Sequence, residues 1–99
     1  MKRHHSVSEE AAEALAIQAL NYIAVDAERL GRFLALTGIG PNEIRAAARE
    51  PGFLAGVLDH VAGNEAMLMD FAADAGVDPA AIGRARAVLG GPNWERESP

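Results

Sequence analysis

An all-α fold is predicted by three features of the sequence. Apolar residues recur with the 3.6-residue period of a helix in one segment after another. No β-branched run alternates apolar and polar residues as a half-buried strand does. Alanine, the strongest helix former, is the commonest residue. Together with a length of 99 residues, these features predict one compact bundle of five to six short helices. The helical domain is expected over residues 8–91, with a flexible N-terminus at 1–7 and a C-terminal tail at 92–99. A chain of this size buries roughly 65% of its unfolded surface, enough for one modest core.

The first helix is expected to begin near Ser6 or Ser8. Ser6 and Glu9 have capping-box spacing, and Glu9, Glu10 and Glu13 suit the positive end of the helix dipole. Ala12, Ala16, Ala19, Leu20 and Ile23, joined by Leu15, form its apolar face. Asp26 is placed to cap a second helix, in which Leu30, Phe33, Leu34 and Thr37 align. Gly38 is suited to end it, because glycine accepts the left-handed conformation common just past a helix. Pro41 fits the first turn of a short third helix with Ile44, Ala47 and Ala48 on its inner side.

Pro51 separates that helix from a fourth, whose stripe is Phe53, Leu54, Val57, Leu58 and Val61. Gly63 interrupts the pattern, and Asn64 is placed to cap a fifth helix. There Met67, Leu68, Phe71, Ala72 and Ala75 form the next stripe, closed by Gly76. Asp78 as cap, Pro79 at the first position and Gly90 as stop predict a sixth helix, with Ile82, Ala85 and Leu89 facing inward. Beyond it the chain holds little apolar material, and Trp94 is the one residue suited to dock back.

The strings "ERLGRFLALTGIGPNEIRA" and "FLAGVLDHVAGNEAMLMDFAADAGVDP" resemble a family of short alphaproteobacterial proteins, domain of unknown function 3572. The resemblance runs from about Ala14 to Gly91 and centres on the leucine and phenylalanine pattern around Gly38-Ile39-Gly40-Pro41. It implies an all-helical bacterial cytoplasmic protein, and it carries no activity and no catalytic residues. In the family pattern proline often follows the aspartate that starts the second helix, where this chain has Ala27. That departure weakens the break at Asp26 and leaves open a continuous first and second helix.

Composition excludes several classes of function. The absence of cysteine removes disulfides, thiolate catalysis and cysteine-bound metals, and fits a reducing compartment. No apolar run approaches the roughly 20 residues of a membrane helix. The opening "MKRHHSVSEE" lacks the apolar segment of a secretory signal, so a cytoplasmic setting without membrane association is expected.

Gly38-Ile39-Gly40 followed by a helix start has the outline of a helix-hairpin-helix phosphate clamp, in which backbone amides point at a phosphate. Asn42 and Glu43 then stand where such a motif has a basic and a small polar residue. Glu43 would repel a phosphate, and a net charge of -5 opposes a polyanion at long range. Nucleic acid is therefore disfavoured, and Gly38, Gly40 and Pro41 are read as a structural turn.

No enzyme is expected, and no cofactor or metal. Asp59 and His60 are adjacent, so on a helix they point about 100° apart. His4 and His5 lie in the terminal segment, and Asp70 with Asp74 alone reads as a solvated face. The charge distribution says more. Arg29, Arg32, Arg45 and Arg49 occur within 21 residues that hold one acid, Glu43. Residues 50–78 hold six acids and no lysine or arginine. These four arginines are the candidate partner-binding residues, because arginine pairs bidentately with carboxylates. The leading expectation is a protein–protein interaction or regulatory module with an unidentified protein partner. The alternative is a weak nucleic-acid binder using the glycine turn and its flanking arginines. The breadth of the stripes on the fourth and fifth helices leaves room for a homodimer.

Overall fold

A computed structural model describes the backbone of residues 8–97 and the side chains of residues 8–90. Among the described residues six helices follow one another: α1 (Glu9–Ala24), α2 (Ala27–Thr37), α3 (Ile44–Ala47), α4 (Pro51–Ala62), α5 (Glu65–Ala75) and α6 (Pro79–Glu97). A 3-10 turn, Pro41–Glu43, leads into α3. Among the described residues there is no strand, and the architecture is all-α.

The local start and stop signals work largely as their chemistry requires. Ser8 caps α1, its Oγ accepting from the Ala11 N–H at 3.0 Å. Ser6, and with it the proposed capping box, lies outside the described residues. Asp26 Oδ1 accepts from the N–H groups of Glu28 and Arg29 at 2.9 and 3.2 Å and starts α2. Helices α1 and α2 are thus separate, and proline at position 27 is not needed for the break. Asn64 caps α5 through the Met67 N–H at 3.0 Å, and Asp78 accepts from the Ala80 N–H at 2.8 Å at the start of α6. Gly38 and Gly76, at φ 75° and 71°, end α2 and α5 in the left-handed conformation.

Gly90 does not end α6, which continues to Glu97. A glycine stops a helix by turning left-handed, and Gly90 is not among the glycines with positive φ. A helix already formed extends one bond at a time without a new nucleation step. The side chains of the tail, Trp94 included, lie outside those described.

The core is built chiefly by α1, α4 and α6, whose mutual packing is the most extensive in the molecule. Ala12, Ala16 and Ala19 lie fully buried along α1 with Ile23. Small side chains at these positions bring the backbone of α1 close to its neighbours. Leu54, Val57, Leu58 and Val61 of α4 meet them, with Ile82, Ala85 and Leu89 of α6. Phe71 and Ala72 of α5 close one side. Helix α2 contributes one buried residue, Phe33. Ile44 and Ala48 pack against the core as expected, and Met67 fills space beside it. Thr37 instead faces solvent, its hydroxyl donating back to the Phe33 carbonyl at 2.9 Å. No polar or charged residue is buried among the described residues.

Candidate functional site

The four arginines share a stretch of sequence but not a common environment. Arg29 leaves α2 toward α1. Its Nη1 donates to the Tyr22 carbonyl at 2.9 Å, and its guanidinium carbon lies 4.0 Å from the Tyr22 ring centroid. Its Nη2 is 3.9 Å from Asp70 Oδ2, and its Nε is 4.0 Å from Asp26 Oδ2. The Tyr22 hydroxyl donates to the same Asp70 oxygen at 2.6 Å, and its ring tilts against Phe71 at 5.4 Å. Arg29 is therefore a strut between α1, α2 and α5, withdrawn from the group predicted to meet a partner.

Sequence reasoning missed Tyr22 and Asp70 as a pair. Tyr22 borders the apolar stripe of α1, which hints at burial, but its partner lies 48 residues away. Burial and the bond to Asp70 raise the phenol above its ordinary value, with Arg29 opposing, so Tyr22 remains a donor. Beside the strut an open groove of about 550 Å³ is lined partly by Gln18, Asn21, Val25 and Asp74. Asp70 thus binds tyrosine and lies near the Arg29 guanidinium, while its side chain, like that of Asp74, stays exposed to solvent.

Arg32, Arg45 and Arg49 are exposed. None of them forms an ion pair among the described residues. Arg32 stands one helical turn before Leu36, so the two share a face of α2. Leu36 is 70% exposed, a large apolar side chain beside an unpaired cation. Arg45 lies in α3 and Arg49 just beyond it.

Between the two helices the corner is tied together by its own hydrogen bonds. The Gly38 N–H donates to the Leu34 carbonyl at 2.8 Å. The Ile39 N–H donates to Thr37 Oγ1 at 3.3 Å, and the Gly40 N–H to Glu43 Oε1 at 3.0 Å. All three amides that a phosphate clamp would aim outward are already donated, the last to a carboxylate. The corner is a turn.

Asp59 and His60 diverge as helix geometry requires. Asp59 Oδ1 accepts from Arg86 Nε of α6 at 2.8 Å, while the His60 ring stands edge-on to Phe33 at 5.2 Å. Among the described residues no group of three histidine, aspartate or glutamate side chains could hold a metal ion. His4 and His5 lie outside the described residues. No helix among the described residues is long and apolar enough to cross a membrane.

The sequence matches the family described as Protein of unknown function (DUF3572) over residues 9–92. The chain belongs to the DUF3572 family. The match begins with the first residue of α1 and includes α2, the glycine corner and α3, so the geometry above lies within the DUF3572 unit. No curated protein and no solved structure matches the chain.

Proposed function

We propose that this DUF3572 protein is a non-catalytic interaction module that docks an acidic surface of another protein. The docking residues are Arg32, Arg45 and Arg49, with Leu36 as an apolar contact. The observation that carries this reading is the exposure of these arginines without an ion pair among the described residues, with Leu36 on the face of Arg32. Unpaired arginine beside exposed apolar surface is typical of interface composition. Arg29 is left out, because it braces Tyr22 and Asp70. A cysteine-free sequence supports a cytoplasmic setting.

The test compares the wild type with the double variant Arg32→Glu, Arg45→Glu as bait in crosslinking and affinity capture. Exposed changes alter stability by no more than about 0.5 kcal/mol, so helical content should be retained. A partner crosslinked to α2 or α3, lost by the variant and weakened by salt, is the expected result. Capture unaffected by both the variant and salt refutes the reading. Nucleic acid is the competing ligand, and the donation of the corner amides to the Thr37 and Glu43 side chains speaks against it. A labelled DNA duplex should show no mobility shift at low salt.

A further inference from the structure

Helix α2 is fastened to α4 by a small aromatic cluster. Phe33, 1% exposed, is its only buried residue. Two rings of α4 meet it: Phe53 at 5.9 Å with planes at 74°, and His60 at 5.2 Å with planes at 79°. Leu30 and Leu34 add only half-buried contacts. An ionisable ring thus occupies a position that otherwise calls for an apolar one.

The charges around His60 favour its neutral form. Arg32 of α2 places a like charge near it, and Asp59 of its own helix places an opposite one. The Asp59 carboxylate is turned to Arg86 of α6, however, at 2.8 Å. Partial burial, then Arg32, hold the imidazole below its ordinary value, with Asp59 opposing.

We propose that His60 is a pH-sensitive pin between α4 and α2. Neutral, the ring packs on Phe33 and holds the arm formed by α2, the corner and α3 against the bundle. Protonated, it brings a second positive charge beside Arg32 and draws water toward a ring contact in which no described residue accepts a hydrogen bond from the imidazole. The arm then loosens while α1, α4 and α6 stay packed. The sign follows from linkage. Folding favours the neutral ring, so its contribution is full above the ordinary imidazole value of about 6.5 and is lost as pH falls below it. Arg32 and Leu36 ride on α2, so loosening would also disturb the proposed docking face. That consequence rests on the docking reading; the pin itself does not.

The experiment needs no partner. The His60 ring is titrated by NMR, and amide-exchange protection factors in α2 and α6 are compared at pH 7.5 and 5.0. His60→Phe and His60→Gln are measured alongside the wild type, one keeping a ring and the other keeping polarity without titration. His60 should titrate below 6.5, and protection in α2 relative to α6 should fall several-fold on acidification. In both variants that ratio should not change with pH. Titration of His60 at or above 6.5 would mean that the ring cluster welcomes the imidazolium, and it overturns the proposal. So does an equal pH response in the variants.

Discussion

The body of α1, α4 and α6 and the arm of α2, the corner and α3 are held by different physics. In the body each helix supplies several fully enclosed apolar side chains, among them Ile23, Leu58 and Ile82. Full burial of one such side chain contributes about 1.5–3 kcal/mol. In the arm only Phe33 is enclosed, and the shape comes from directional bonds: the Asp26 cap, the left-handed Gly38, the Thr37 and Glu43 bonds, and the Arg29 strut. Hydrogen bonds give a net contribution nearer 1 kcal/mol each. The difference explains where charge is displayed. A segment that owes little to burial leaves its outer face open to Arg32, Leu36 and Arg45.

Leu58→Ala should show the largest effect. Leu58 is fully buried at the centre of the body, so the cavity should destabilise the whole protein by about 2–5 kcal/mol in denaturant unfolding. A near-zero change would mean that the body is not the stability centre.

Phe33→Ala tests the boundary between the regions. Amide protection in α2 should collapse while α4 and α6 keep theirs, and the global loss should be smaller than for Leu58→Ala. Equal loss of protection throughout would make arm and body one cooperative unit and erase the contrast.

Gly38→Ala should destabilise by about 1 kcal/mol, because an L-residue is strained at φ 75°. Added atoms meet nothing within 4 Å there, so strain alone is read out. An unchanged melting temperature would show that the corner relaxes freely.

The smallest effect is expected for Asp59→Asn. Its pair with Arg86 spans 2.8 Å, but the side chains are 63% and 35% exposed. Such a pair contributes about 0–1 kcal/mol and is screened by salt. A salt-insensitive loss well above that range would make this ion pair a true fastening of the body.

Helix positions, caps and core stripes were legible in the sequence because each depends on residues within a turn or two of one another. Asp26, Asn64 and Asp78 have their partners two or three positions away. Gly38 and Gly76 were recognisable as stops for the same reason. Gly90 misled because glycine permits a left-handed turn without requiring one. The candidate site was only half legible. Four nearby arginines suggested one patch, yet the fate of Arg29 was decided by Tyr22 across the helix break and by Asp70 on a distant helix.

By itself, then, the sequence determined an all-α chain, the places where helices begin and most of those where they end, and the faces they bury. Those properties arise from short-range hydrogen bonds and helical periodicity, which local order encodes. Only the tertiary structure decided that Arg29 ties α2 to α1 and α5 while Arg32, Arg45 and Arg49 remain exposed, that Tyr22 binds Asp70, and that His60 lies on Phe33. These pairings depend on how whole helices are set against one another. That arrangement follows from the summed packing of many side chains, and no local pattern carries it.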